Sequence, residues 1–342
     1  MGSAVRDRHI KRGSILQSKV TIVIPNYNGK KYMDDCLRSL GKQTMKAPVI
    51  IVDNGSEDGS VDAVKEMASK KPGRYPKLKF LELHENTGFA NAVNVGIKAA
   101  DSEYVILLNN DTVCEERMTE KLVRAIESQK KVFSVGAKML SMKNPDVIDD
   151  AGDLYCALGW AFSPARDKNS KSYSKRCAVT TACAGAAIYR KYVFEQIGYF
   201  DEVHFCYLED VDVGYRARIY GYKNLMEPSA IVYHAGSGTS GSRYNKFKEE
   251  LTASNNLYFI YKNMPVLQLI FNLPLLIIGV IIKQVYFARK GLGMSYAKGL
   301  LMGIKKIIKH SDRKVPFSPG NLGNYFILEA ELLVNCIRRL AG

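Results

Sequence analysis

The side chains with the most chemical promise stand where apolar runs stop. Asp111 follows one such run and would offer a carboxylate through which a divalent cation could bridge to a diphosphate. Mg2+ and Mn2+ take oxygen ligands and keep several waters, so one or two protein carboxylates suffice. His234 ends another run, and its imidazole suits Mn2+ better than Mg2+. The densest acidic stretch is 200–212, where Phe200, Phe205 and Tyr207 lead into Glu209, Asp210 and Asp212. Neighbouring acids among aromatic rings repel one another unless a cation or a proton relieves them, which raises a carboxyl pKa and suits it to accept a proton from a hydroxyl. Each residue also has a plainer reading. Asp111 would cap a helix near Arg117, His234 would be a hydrogen-bonded loop histidine, and the three acids would complement the dipole of a helix start.

Such residues act together only if the fold gathers them. Between residues 20 and 129, short apolar runs alternate with segments of helical period, the pattern of a parallel sheet with crossover helices. The runs 20–25, 49–53, 79–83 and 104–109 predict strands; Met33/Leu37/Leu40, Val61/Val64/Ala68 and Phe89/Val93/Ile97 predict helices with one face for the sheet. The fold class is therefore α/β with a Rossmann-like, mostly parallel sheet, whose ligands bind beyond the carboxyl ends of the strands. The polar turns at those ends are Asn26-Tyr27-Asn28-Gly29, Asp53-Asn54-Gly55-Ser56, Asn86-Thr87-Gly88 and Asn109-Asn110-Asp111. Turn chemistry accounts for any one of them; four in register predict a site. Further along, 166–176 predicts a mobile polar loop, 179–189 a buried strand or two, 211–220 a helix and 230–233 a short strand.

The composition bounds what surrounds this site. A chain of 342 residues with 46% hydrophobic and 24% charged residues is not disordered, collagenous or a small disulfide scaffold. Its net charge of +15 is concentrated at the ends: residues 1–19 hold five bases and one acid, and 252–342 hold twelve against three. A near-neutral middle argues against a nucleic-acid groove, and the basic ends argue for an anionic membrane surface. The seven cysteines form no CxxC pair and read as free thiols in a reducing cytoplasm; the charged N-terminus has no signal-peptide pattern. The expected location is cytoplasmic, peripheral on the inner face of the cell membrane. The expected division is a basic flexible tail (1–19), a main domain (20–250, with a division near 112) and a helical, membrane-associating region (251–342).

Within that last region, 264–288 is strongly apolar but interrupted by Gln268, Asn272, Pro274, Lys283 and Gln284, which predicts an interfacial helix rather than a spanning one. In 298–309, Leu300, Ile304, Ile307 and Ile308 share one helical face, with Lys298, Lys305 and Lys309 opposite. The competing reading packs that apolar face on the main domain.

The motifs, taken in order, carry a resemblance. Val-Thr-Ile-Val-Ile-Pro-Asn-Tyr-Asn-Gly (20–29), Ile-Val-Asp-Asn-Gly-Ser-Glu-Asp-Gly-Ser (51–60), Asn-Thr-Gly-Phe-Ala (86–90), Leu-Leu-Asn-Asn-Asp-Thr (107–112), Leu-Glu-Asp-Val-Asp-Val (208–213) and Val-Tyr-His-Ala-Gly-Ser-Gly-Thr-Ser (232–240) resemble the family 2 glycosyltransferases, most closely rhamnosyltransferase-like, non-processive members. The resemblance covers about residues 20–245. It implies a GT-A fold and inverting transfer from a nucleoside-diphosphate sugar, with UDP and dTDP equally served, to a glycan or lipid-linked acceptor in surface polysaccharide synthesis. It places Pro25, Tyr27 and Asn28 against the nucleobase, Asp53 on its N3–H, and Asn86 and Asn91 near ribose and phosphates. Asn109-Asn110-Asp111 stands where the family has Asp-x-Asp, with Asp111 and His234 as ligands of Mg2+ or Mn2+; Asn109 replaces the first acid of that motif. Asp210 would be the base and Glu209 would hold acceptor or sugar. Processive members carry Gln-x-x-Arg-Trp, whereas the one tryptophan here, Trp160, follows Leu158-Gly159. Two alternatives are a sugar-phosphate nucleotidyltransferase, which commonly needs a basic Gly-rich loop after the first strand, and a non-catalytic sugar-nucleotide or membrane-binding scaffold, which would have lost the acid pair.

Overall fold

The computed structural model describes residues 18–236 and 244–341. The predicted N-terminal tail, apart from Ser18 and Lys19, and residues 237–240 of the last motif lie outside them. Continuous Val/Ile runs form β1 (Val20–Asn26), β2 (Val49–Asn54) and β4 (Tyr104–Leu108), with β3 (Leu78–Leu83) beside them. The crossovers are α1 (Lys30–Gly41), α2 (Ser60–Lys70) and α3 (Phe89–Ala99). α1 buries Met33, Leu37 and Leu40, and α3 buries Val93 and Ile97, so the predicted faces are the packed ones. Strands buried on both faces read as unbroken apolar runs because helices cover both sides.

The second half adds β5 (Thr112–Cys114), α4 (Met118–Glu127), β6 (Val132–Ser141), β7 (Ile148–Asp150), β8 (Leu154–Cys156), β9 (Trp160–Phe162), β10 (Cys177–Val179), β11 (Ala186–Arg190), α5 (Lys191–Ile197), α6 (Glu209–Ile219) and β12 (Lys223–His234). The main sheet runs β10-β12-β6-β11-β4-β1-β2-β3, with β5 on β12 and β7 on β6. β1 is parallel to β2 and β4, β2 is parallel to β3, and β12 is parallel to β6, while β11 runs antiparallel between β4 and β6. The ends of β1, β2, β3, β4, β6 and β12 and the start of β11 therefore lie along one edge.

The expected short strand 230–233 is the end of the twelve-residue β12. Pro228 lacks an N–H and interrupts the apolar alternation, and the ladder to β6 shifts register between Glu227 and Ile231 before resuming. The expected buried strands in 179–189 are β11 and the last residue of β10.

Among the described residues four α-helices follow: α7 (Lys246–Asn263), α8 (Val266–Arg289), α9 (Gly293–Lys309) and α10 (Leu322–Ala341). One apolar cluster joins Tyr155 of β8, Val211 and Tyr215 of α6, Phe259 of α7, Leu276 of α8 and Leu328 of α10. α9 packs through Ser295, Gly299 and Gly303, which are buried, whereas Ile304 and Ile308 stay 48% and 72% exposed. The helix docks, but not by the isoleucine face that the competing reading had supposed.

Candidate active site

The turns after β1 to β4 are knitted together by amide side chains. Asn26 is the hub: its Nδ2 donates to Asp53 Oδ1 and Ser60 Oγ, each at 2.8 Å, and its Oδ1 accepts from Asn110 Nδ2 at 2.8 Å. Three strands are tied by one side chain. Asp53 is buried and also accepts from the Ser56 N–H at 3.1 Å. Asn54 does the same work between β2 and β3, accepting from the Thr87 N–H (3.0 Å) and hydroxyl (2.9 Å) and donating to Asn86 Oδ1 (3.0 Å). Asn91 donates to Thr87 Oγ1 at 2.8 Å. Pro25 stands opposite Val52, Tyr27 is half-buried, and Asn28 is exposed in the left-handed region (φ 53°), its side chain accepting from the Glu57 N–H at 2.9 Å. The expected donor-binding residues thus share one edge, and Asn26 and Asn54, members of the predicted turns to which the resemblance gives no individual role, tie those turns together.

Beyond β4 the edge turns acidic. Asn109 donates its backbone N–H to the Gly185 carbonyl at 2.9 Å, joining the end of β4 to the start of β11. Asp111 is buried and leads into β5; α4 starts later, at Met118 after Arg117, so the helix-cap reading of Asp111 falls. β5 pairs with β12, setting Thr112 opposite His234. The His234 imidazole is flanked on both sides, Nε2 at 3.2 Å from Asp111 Oδ1 and Nδ1 at 2.5 Å from Asp149 Oδ2. Burial alone would lower the His234 pKa, but the two carboxylates raise it to about 9. Asp149 was not foreseen. Its signal was Asp149-Asp150-x-x-Asp153, which only the pairing of β7 with β6 brings to the edge.

The acid pair opens α6. Glu209 is buried, its Oε2 has no hydrogen-bond partner among the described residues, and burial with Asp210 beside it pushes its pKa well up. Asp210 accepts from the Val211 N–H at 2.8 Å and the Ala184 N–H at 3.3 Å. Burial pushes its pKa up to about 6 against those two amides, with the nearby Asp150 adding to the rise. Asp212 has a different fate. It is fully buried and bonded to Arg216 (2.7 Å), Lys262 (2.9 Å) and Asn263 (2.7 Å). Although burial opposes its charge, those cations hold it far below the usual carboxylate range, so it is a framework residue. Ala184 lies one residue before Gly185, so backbone contacts link Asp210, β11 and the Asn109–Asp111 turn without a gap.

The loop before the pair is strained. Phe205, Tyr207 and Leu208 have φ of 63°, 68° and 68°, a region that costs a non-glycine residue about 1–2 kcal/mol. The Phe205 carbonyl also accepts from the Ala90 N–H at 3.2 Å, and a Cβ on Gly88 would lie 2.5 Å from that carbonyl oxygen. Only glycine allows the third donor-side turn to touch the acid-bearing loop.

Comparison with known proteins places this edge in a family. The model of the family described as Glycosyl transferase family 2 matches residues 21–198. A poly-beta-1,6-N-acetyl-D-glucosamine synthase of Staphylococcus epidermidis is 24% identical over 228 residues, covering 66% of this chain and 52% of that protein. A synthase of the same name from Staphylococcus aureus (strain COL) is 23% identical over 228 residues, covering 66% and 52%. The chain spans about half the length of the curated relatives it matches. Among solved structures, the mannosyltransferase PcManGT from Pyrobaculum calidifontis in complex with GDP-Man and Mn2+ superposes with a TM-score of 0.52 at 17% identity, covering 87% of this chain and 88% of that one. GalNAc-T7 with UDP, GalNAc and Mn2+ gives 0.57 at 15% identity, covering 72% and 48%. Those likenesses show the GT-A fold. The family match spans more than half of the 342 residues, and the chain belongs to the family 2 glycosyltransferases.

Proposed function

We propose that this chain is an inverting, non-processive glycosyltransferase that carries a sugar from a UDP- or dTDP-sugar to a hydroxyl of a glycan or lipid-linked acceptor at an anionic membrane surface. The observation that carries the reading is the shared edge: an amide-knitted nucleotide side runs without interruption into Asp111, His234, Glu209 and Asp210. Asp210 takes the proton from the acceptor hydroxyl as its oxygen attacks the anomeric carbon. The bond to the diphosphate breaks on the opposite face, inverting the centre in one step. Asp210 suits this task because its carboxyl is a stronger base than an exposed one yet ionised at neutral pH. Glu209 lies beside it to hold acceptor or sugar.

Asp111 Oδ1 and His234 Nε2, 3.2 Å apart, are the pair that would hold a divalent cation, and the cation would have to displace the proton that two flanking carboxylates keep on the imidazole. Among the described residues no group of three potential ligands gathers, so water would complete the coordination, and Asp149 on Nδ1 would fix the ring as an outer-shell carboxylate does for a ligating histidine. Such a cation, when bound, supplies positive charge against the departing diphosphate. Two known transferases of this fold were solved with Mn2+, which supports Mn2+ or Mg2+. With Asn109 in place of an acid, Asp111 is the only carboxylate that the turn contributes.

The membrane reading rests on α8. By length and composition this helix could cross a bilayer, but Gln268 Nε2 and Asn272 Nδ2 donate to Glu329 of α10 at 2.8 and 3.0 Å, and the Trp160 ring N–H donates to the Gly279 carbonyl at 3.2 Å. Held by one flank to the protein, α8 presents Leu267, Ile270, Phe271 and Ile281 on the other, as a helix lying in the interface would. Lipid association and a lipid-linked acceptor follow from the same surface, on the cytoplasmic face.

A melting screen with UDP-GlcNAc, dTDP-rhamnose and GDP-mannose, with and without Mn2+, tests the donor class, because a ligand bound only to the folded chain raises its melting point. The motif order favours dTDP-rhamnose, and the curated relatives' name favours UDP-GlcNAc. Stabilisation by GDP-mannose alone would overturn the pyrimidine reading. Flotation with phosphatidylglycerol vesicles should be lost on replacing Leu267, Ile270 and Phe271 by serine.

A further inference from the structure

Three non-glycine residues with positive φ in one four-residue loop need something outside the loop to hold them. His204, Phe205 and Cys206 form a γ-turn of the rare positive-φ form (φ 63°, ψ −67°), closed by the Cys206 N–H on the His204 carbonyl at 2.7 Å. Leu208, also left-handed, is the residue from which α6 starts, and Glu209 and Asp210 follow it directly. What fixes this loop therefore sets the approach of the acid pair, whose far side is already tied to residues 181–184.

The fixing group comes from the C-terminal helices. The Nδ2 of Asn255 in α7, fully buried, lies 2.8, 2.9 and 2.8 Å from the carbonyl oxygens of His204, Cys206 and Tyr207, so its two hydrogens are shared among three acceptors. Its Oδ1 accepts from Lys306 of α9 at 2.6 Å, and the same ammonium donates to the Val203 carbonyl at 3.0 Å. A lysine can only donate, so it turns the amide oxygen towards itself and the NH2 towards the loop. Lys306 reaches this point because α9 lies unusually close to α7. A Cβ on Gly299 would be 2.5 Å from the Glu250 carbonyl oxygen, and one on Gly303 would be 3.0 Å from that of Ser254.

We propose that Asn255, oriented by Lys306, is a positioning residue for the transfer reaction, holding residues 205–208 in the one conformation that delivers Glu209 and Asp210 to the sheet edge. The inference rests on the reading of Asp210 as the base. It makes α7 and α9 part of the catalytic frame and not only a membrane support.

The test measures nucleoside-diphosphate release with water as acceptor, using whichever sugar nucleotide gives the largest melting shift in the screen above. Asn255→Asp sets a carboxylate against three carbonyls; Lys306→Met frees the amide to turn. Both should lower kcat at least tenfold with the donor KM within twofold of the parent, and Lys306→Arg should recover most of the loss. Should Asn255→Asp fail to fold, the Lys306 pair decides alone. A kcat within twofold of the parent in Lys306→Met overturns the proposal. So does a donor KM that rises as kcat falls, or a Lys306→Arg enzyme no better than Lys306→Met, since either marks general loosening. Asp210→Asn separates the two readings: if it turns over normally, the base assignment has failed; if it is inactive while the Asn255 and Lys306 variants work fully, only the positioning role is wrong.

Discussion

The two halves of the sheet edge are built on opposite principles. On the β1 to β4 side, Asn26, Asn54, Asn86 and Asn110 satisfy one another and Asp53 in short hydrogen bonds, so the turns are rigid before any ligand arrives. On the β11, β12 and α6 side, Asp150 and Glu209 are buried and Asp153 and Asp210 half-buried, and the loss of water pushes the pKa of each of them up. Neutral amides give a preformed cradle, because each bonds a side chain of another turn. Under-partnered carboxylates give basicity at the cost of stability, because a buried charge without a full set of partners favours the protonated form. On the proposed reading, recognition falls to the first half and proton transfer to the second.

Breaking the second half at its centre should have the largest effect. Asp210→Asn keeps the shape and removes the base, so transfer should fall by about 10²–10⁴-fold while the donor-induced melting shift persists. Its stability should move little. A carboxyl whose folded pKa is raised to about 6 stabilises the fold most below its unfolded pKa and loses that contribution as pH rises through 6, so at pH 7 the amide variant is relieved of a buried charge. Its NH2, however, faces either the Val211 or the Ala184 N–H, which the two carboxylate oxygens each accept in the parent, and the orphaned donor offsets the gain, so a calorimetric scan should place its melting point within a few degrees of the parent's. The first half should break differently. Asn26→Ala leaves Asp53, Ser60 and Asn110 each short of a partner, at about 1–3 kcal/mol per orphaned group. We expect a lower melting point and a donor KM raised at least tenfold, with kcat changed far less, measured as initial rates over a donor series. Equal effects of both substitutions on kcat would erase the distinction.

The first half was also the more legible. β1, β2 and β4 are covered on both faces, and that forces unbroken Val/Ile runs which sequence displays directly; their turns follow at once, so Asp53 and Asp111 could be placed at the sheet edge by position alone. The second half is assembled from short or irregular strands. β7 has three residues, and nothing local tells that Asp149 will meet His234 eighty-five positions away. Pro228 hid the first half of β12 by interrupting its alternation. Asp212 looked like its two neighbours, and only the arrival of Lys262 from α7 and Arg216 from the next turn of its own helix separates a framework carboxylate from a reactive one. Long-range partners set the roles of acids, and a local pattern carries no trace of them.

The smallest predicted effect probes the source of the basicity. If Asp210 must be ionised, kcat should be level above about pH 6 and fall tenfold per unit below it, the sign expected for a base whose protonated form is inactive. Burial is the larger cause of the raised pKa, and the negative charge of Asp150 is a lesser one that acts against the amides of Ala184 and Val211. Asp150→Asn can still accept from the Gly152 N–H through its carbonyl oxygen, the bond that Asp150 Oδ1 makes at 2.7 Å, so it removes charge with little change of shape. The acid limb of the kcat profile should then move to lower pH by a few tenths of a unit, with the plateau nearly unchanged. A shift upward, or a collapse of the plateau, would mean that Asp150 acts on the reacting groups themselves. The acidic half would then be a set of separate tools and not one carboxylate tuned by its neighbours.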